Sequence, residues 1–151
     1  MVYELVMIAA AGVDQALKHW IESQDAKDFP RPMEKSGGKI MLYRNYNDGL
    51  PFGFLKKHTK LVKTLPMVIT SMLGGSFGYL QRHKKHPMIR LALALTIGGS
   101  LSNLYDRYVR GYVIDYFSIQ WGRLKKVVFN LGDIFVFIGA AMLAVLEIFR
   151  D

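Results

Sequence analysis

Cysteine is absent from this chain, which excludes disulfides, thiolate metal sites and thiol nucleophiles at once. Histidine is scarce: there are four, and His58, His83 and His86 sit among lysines, leaving little material for a metal centre. The sequence also lacks internal repeats and low-complexity tracts. Its most telling shortage is local. No Asp, Glu, Lys or Arg occurs in the 18 residues from Thr64 to Gln81, the 15 from Leu91 to Tyr105, the 13 from Ile134 to Leu146 or the 9 from Leu5 to Val13. A water-facing amphipathic helix would show charge every three or four positions. Helices apolar all the way round need an apolar solvent or a large protein interior, and 151 residues cannot bury four of them. The reading is a membrane protein.

What is present agrees. Residues of the AVILMFWYC set make up 51% and charged residues 21%, so a disordered linker is excluded and one domain is expected. Four segments approach the roughly 20 residues that cross a bilayer core: Val2 to Ile21, Leu61 to Leu80, Met88 to Leu104 and Leu131 to Phe149. On hydropathy the second is the convincing one, and the first and third are marginal. Ala9-Ala10-Ala11 could pass for a signal-peptide cleavage site, but a basic leader is missing and Asp14 and Lys18 follow, so the first segment is expected to stay as a helix. Gln81 to Pro87 is a tight basic turn that makes the second and third helices antiparallel neighbours. The long connection, about 22–60, contains the strand-like Lys39–Tyr46 and turn chemistry in Asn47 to Pro51. The other, about 106–130, contains a β-branched and aromatic run from Tyr112 to Trp121, hence extended. The expected fold is all-α and membrane-integral, with four transmembrane helices and a small extracytoplasmic β-like region. Gly74, Gly78 and Gly139 are expected to pack helices closely.

Four ionisable groups stand where charge is costly. Asp14 and Lys18 lie four apart on one helix face, either a self-neutralising pair near the membrane edge or part of a site. Asp133 precedes thirteen uncharged residues, and Asp115 is surrounded by apolar and aromatic neighbours, where desolvation should raise its pKa. Asp115 follows the third helix and Asp133 begins the fourth, so both lie at one end of the bundle. Two acids meeting there could not both ionise easily and would share a proton. An aspartic peptidase requires that arrangement; two unrelated interface acids are the plainer alternative.

The run Gly98 to Phe117, "GGSLSNLYDRYVRGYVIDYF", followed by Phe129 to Asp133, "FNLGD", resembles the lipoprotein signal peptidases, also called signal peptidase II. That family reads GGxxGNxxDRxxxGxVxDF and then FNxAD. Asp14-x-x-x-Lys18 and Asn47-x-Gly49-x-x-Phe52-Gly53 match two earlier pieces, so the resemblance spans almost the whole chain in the family's order. Departures are Ser102 for glycine, Gly132 for alanine, Tyr116 for phenylalanine, and Leu50-Pro51 inside the loop motif.

The resemblance implies that Asp115 and Asp133 are the catalytic pair. Around them would stand Asn103, Arg107 and Asn130, with Asn47 on the substrate backbone and Asp14 and Lys18 lining the same cavity. Arg107 could instead neutralise the adjacent Asp106 or anchor at the interface. The implied substrate is a bacterial prolipoprotein whose cysteine bears a diacylglyceryl group, cut on the N-terminal side of that cysteine. The family needs no metal and no cofactor. Its members act in the bacterial cytoplasmic membrane with the active site facing the extracytoplasmic side; partners would be the lipid-modified precursors and membrane lipids, with no nucleic acid, and the chain would act as a monomer. Trp121, Tyr112 and Tyr116 would sit at head-group depth. The Lys/Arg distribution votes for the opposite orientation: five such residues would lie inside and fourteen outside, Lys18 excluded. Two other functions compete, a membrane protein using Asp14, Asp115 and Asp133 as an ion or proton path, and a soluble basic module, suggested by a pI near 9.7.

Overall fold

The computed structural model describes residues 1–49 and 58–149. Four helices, α1 (Val2–Glu22), α2 (Thr59–Arg82), α3 (Pro87–Tyr105) and α4 (Leu131–Ile148), form a bundle capped at one end by a small sheet. Its strands β1 (Arg31–Pro32), β2 (Ile40–Asn47) and β3 (Val113–Ile119) lie in that order, all antiparallel. Leu50 to Lys57, which include the loop-motif residues Phe52 and Gly53 and the departure at Leu50-Pro51, fall outside the described residues.

α3 is the central rod, packed by α4, α1 and α2. That position explains its pattern: Ala92, Leu93, Ala94, Thr96, Ile97, Gly98, Gly99 and Ser102 are buried around its whole circumference. Close approach is built with glycine at two contacts. A Cβ on Gly98 would lie 2.6 Å from the carbonyl oxygen of Met7 in α1, and one on Gly99 would collide with the carbonyl of Gly132 in α4. Gly139 packs on Ala92 and Thr96 as expected, but Gly74 and Gly78 do not pack: nothing described lies within 4 Å of where their Cβ atoms would be. α2 meets the bundle through Leu73, Phe77 and Leu80, which turns its glycines to the outside.

Polarity is inverted relative to a water-soluble bundle. Asp14, Lys18, Thr70, Thr96, Ser102, Asp106 and Arg107 are buried, while Leu5, Ile8, Leu65, Val68, Ile69, Met72, Phe137, Ile138 and Val145 face outward. An apolar belt of that extent is what lipid covers. Among the described residues one helix, Leu131–Ile148, is apolar enough to cross a membrane on length and composition alone. The expectation that Leu61 to Leu80 would be the most convincing span is therefore corrected. Lys60, Lys63, Pro66, three glycines and several Ser and Thr dilute α2, whereas α4 carries only Asp133 and Glu147 as charges.

Two local devices aim the sheet at the bundle. After α3 the chain makes a wide π-turn, Asp106–Arg110, and leaves it through Gly111 at φ 91°, a left-handed conformation that a side chain resists. In the β2–β3 ladder, Ile40 to Leu42 pair with Ile119 to Phe117, but beyond an irregularity Asn45 pairs with Asp115 and Asn47 with Val113. β2 thus carries one extra residue. Because strand faces alternate, that slip turns Asn45 and Asn47 to the face of Asp115. In the unslipped register Arg44 and Tyr46 would stand there instead.

Candidate active site

Phe129 fixes the approach of α4 to β3. Its N–H donates to the carbonyl of Phe117 at 2.7 Å, and its carbonyl accepts from the N–H groups of Tyr116 (2.8 Å) and Phe117 (3.0 Å). The next residue, Asn130, is the N-cap of α4 and is fully buried. Its Oδ1 accepts from the N–H of Asp133 at 2.8 Å, and Asp133 Oδ2 accepts from the N–H of Asn130 at 3.3 Å. This reciprocal capping box uses an N-x-x-D spacing, which sequence reasoning overlooked. Asn130 then spends its Nδ2 on Asp115 Oδ1 at 2.8 Å. One asparagine therefore joins the two acids.

Both acids line a small cavity of about 30 Å³ with Asn47, Asn103, Arg107, Phe129 and Phe137, room for about one water molecule. Asp115, only 3% exposed, also accepts from Asn47 Nδ2 at 3.0 Å, and Asp133 Oδ1 accepts from Asn103 Nδ2 at 2.9 Å. Burial, reinforced by the negative charge of Asp133, pushes the Asp115 carboxyl up to about 7 against the pull of the two amide donors. Arg107 donates from Nη2 to the carbonyl of Gly49 at 2.8 Å, and its buried Nε has no partner among the described residues. Burial lowers its pKa, and Asp133, Asp115 and Asp106 oppose that shift. The idea that Arg107 neutralises Asp106 is not what the geometry holds. Asp106 instead meets Lys18 (2.8 Å), Gln15 Nε2 (3.0 Å), Arg110 and the N–H of Ile114 (3.2 Å).

Asp14 and Lys18 pair at 2.7 Å with neither side chain exposed. They are far more buried than a membrane-edge pair would be. Asp14 also accepts from Ser102 Oγ at 2.5 Å and Tyr116 Oη at 2.9 Å, and Lys18 donates to Asn103 Oδ1 at 2.8 Å. The cluster adjoins the acid pair, and among the described residues its direct hydrogen bond to a group that holds an acid is the one from Lys18 to Asn103. Tyr116 is therefore not an interfacial aromatic: alternation along β3 turns it from the Asp115 face toward α1, its Oη accepts from the N–H of Leu131 at 3.0 Å, and burial beside Asp14 raises its pKa. Trp121, at 78% exposure, is on the outside. Sequence reasoning overlooked Asp106, Gln15 and Arg110. Their signal was the i,i+4 spacing of Asp106 and Arg110, hidden because the partner lies in α1. A larger cavity of about 280 Å³, lined by Leu17, Trp20, Met33, Ile40, Leu42, Tyr116, Phe117 and Leu131, offers no group for proton chemistry beyond the engaged Tyr116 hydroxyl.

Two departures from the family pattern meet at one atom. A Cβ on Gly132 would lie 2.9 Å from Asp14 Oδ2, the oxygen that Ser102 Oγ approaches to 2.5 Å. Volume added at 102 is matched by volume removed at 132. Gly132→Ala is expected to destabilise by about 1–3 kcal/mol through overpacking. Adding Ser102→Gly should recover part of that loss in thermal melts; strictly additive losses would refute the coupling.

A family model described as signal peptidase (SPase) II matches residues 6–149. A protein named lipoprotein signal peptidase from Clostridioides difficile (strain 630) is 32% identical, covering 100% of this chain and 97% of its own length. One of the same name from Mesorhizobium japonicum is 34% identical over 93% of this chain and 81% of that protein. The fold matches a solved bacterial membrane enzyme with a TM-score of 0.78, covering 97% of this chain and 87% of that one at 20% identity.

Proposed function

The chain belongs to the signal peptidase II family, the lipoprotein signal peptidases, and we propose that Asp115 and Asp133 are the aspartic pair with which it removes signal peptides from prolipoproteins. The observation that carries the assignment is Asn130, which ties both carboxylates to one water-sized cavity. Asp115, held protonated near neutrality by burial and by its neighbour, is the acid. Asp133 is the base. It takes a proton from water as the water oxygen bonds to the scissile carbonyl carbon, and Asp115 gives its proton to the carbonyl oxygen. The resulting diol collapses: one hydroxyl returns its proton to Asp115, the C–N bond breaks, and the amine leaves with the proton Asp133 took up. Arg107 Nε–H is the spare donor for a substrate carbonyl, and Asn47, Asn103 and Asn130 hold the acids, backed by Asp14 and Lys18.

The substrate in this reading carries a diacylglyceryl group on the cysteine that follows the scissile bond. The chain is one membrane-embedded domain, a monomer whose four helices span the bacterial cytoplasmic membrane with the acids at the extracytoplasmic surface. The outward apolar belts of α1, α2 and α4 support the spanning arrangement. The basic Gly122–Lys126 turn and the sheet would rest on anionic head groups, which reconciles the fourteen outer Lys and Arg with this orientation. A single cysteine placed at Lys84 in this cysteine-free chain would test it: a membrane-impermeant thiol reagent added outside intact cells should label it only after the membrane is permeabilised, and labelling of intact cells would reverse the orientation.

The activity test is cleavage of a synthetic prolipopeptide, with and without the diacylglyceryl group, by the purified chain. Cutting immediately before the lipidated cysteine is expected, and equal cutting of the unlipidated peptide would sink the substrate assignment. Because Asp115 must be protonated to act as acid, kcat/KM should fall as pH rises through about 7. A rate still climbing above that pH would reverse the assigned roles.

A further inference from the structure

Each asparagine beside the acids has its carboxamide locked by a second bond, and the three locks differ in kind. Asn47 Oδ1 accepts from the N–H of Gly49 at 2.9 Å, and Asn130 Oδ1 accepts from the N–H of Asp133 at 2.8 Å. Both locks are backbone groups supplied by the fold. Asn103 Oδ1 instead accepts from the ammonium of Lys18 at 2.8 Å. A carboxamide turned by half a rotation exchanges oxygen for NH2. Asn103 would then face Asp133 Oδ1 with an acceptor, and the carboxylate would lose its donor. An ammonium only donates, so Lys18 forbids that rotation.

Lys18 is itself held. It is fully buried, and its other N–H groups are directed at Asp14 Oδ2 (2.7 Å) and Asp106 Oδ2 (2.8 Å), with Ser102 Oγ at 3.3 Å. Those two acids are fixed in turn by Tyr116 Oη, Ser102 Oγ, Gln15 Nε2, Arg110 and the N–H of Ile114. A rigid charge cluster thus stands behind a single amide. We propose that Lys18 is a positioning residue for cleavage: by locking the Asn103 carboxamide it keeps an N–H donor on Asp133 Oδ1 and holds that carboxylate in the orientation of a base. This rests on the reading of Asp115 and Asp133 as the catalytic pair. The competing role is neutralisation of Asp14 and Asp106 alone.

The two roles separate in kcat, KM and melting temperature, measured on the purified full chain with a diacylglyceryl prolipopeptide. Lys18→Met should lower kcat by about 10²-fold with KM little changed. The charge-balanced Lys18→Met/Asp14→Asn should recover melting temperature but not kcat. Asn103→Leu should show the same kcat loss alone, and Lys18→Met/Asn103→Leu should lose no more than either, because both act through one bond. A folded charge-balanced variant with kcat within about three-fold of wild type overturns the proposal, as do losses that multiply in the double variant. If neither Lys18 variant folds, Asn103→Leu decides: folded with wild-type kcat it overturns the proposal, and depressed in kcat at unchanged KM it supports it. Asp115→Asn measured in parallel keeps the two questions apart, since wild-type cleavage there would remove the catalytic pair itself.

Discussion

Asp115→Asn and Asp133→Asn are each expected to abolish measurable cleavage while leaving the chain folded and membrane-inserted. General acid–base catalysis contributes about 10²–10⁴-fold, and in the proposed mechanism the pair also activates water, so the loss should reach at least the top of that range. Stability should change far less. At Asp133 an amide oxygen can still accept from the N–H of Asn130 or from Asn103 Nδ2, and at Asp115 one of the two amide contacts survives. The loss is then on the order of one cap or hydrogen bond, about 0.5–2 kcal/mol. Removing a buried carboxylate also relieves its desolvation at Asp115. Turnover of a lipidated precursor, measured beside thermal melting on the same preparation, checks both halves. Wild-type rates in either folded variant would end the aspartic-pair reading.

The second large effect is expected at a residue that touches no acid. Gly99→Ala would place a methyl on the carbonyl of Gly132 and 3.1 Å from Phe135 Cβ. Backbone cannot swing aside as a side chain can, so α3 and α4 must part. Asn103 lies one helical turn after Gly99, and Asp133 directly follows Gly132, so the wedge separates the amide from the carboxylate it serves. Overpacking of this kind costs about 1–3 kcal/mol. A displacement on the order of 1 Å at a reacting group can cost about 10²-fold in rate, so kcat should fall by that order together with the melting temperature. Gly74→Ala is the control: nothing described lies within 4 Å of its Cβ position, and both quantities should hold. Equal behaviour of the two variants would mean that the α3–α4 contact does not set the site.

Much of the site could be read along the chain because its pieces are local. Asp115 in an apolar extended run and Asp133 at the start of α4 follow from residue type and charge pattern, and the Asn130-x-x-Asp133 cap, though overlooked, follows the short-range rule of capping. Contacts between segments were less accessible. Arg107 was expected beside the acids, with neutralisation of its neighbour Asp106 as the alternative. It lines the acids' cavity and reaches Gly49 while Asp106 turns to Lys18 and Arg110, because adjacent residues of a helical turn point in different directions. Tyr116 read as an interfacial ring because its aromatic character was visible and its face on the strand was not.

The absence of charge in four long stretches determined that this chain would be a bundle of apolar helices, and the order of its polar motifs singled out Asp115 and Asp133 as the proposed pair. Only the tertiary structure decided which groups those acids meet. One extra residue in β2 turned Asn47 rather than Tyr46 to the face of Asp115. Glycine-thin contacts of α3 with α1 and α4 drew Lys18, Asn103 and Asp133 into one line of hydrogen bonds. Strand register and interhelix distance depend on atoms far apart in sequence. A shift of one residue or one methyl changes every partner across the contact, so no local pattern could have fixed them.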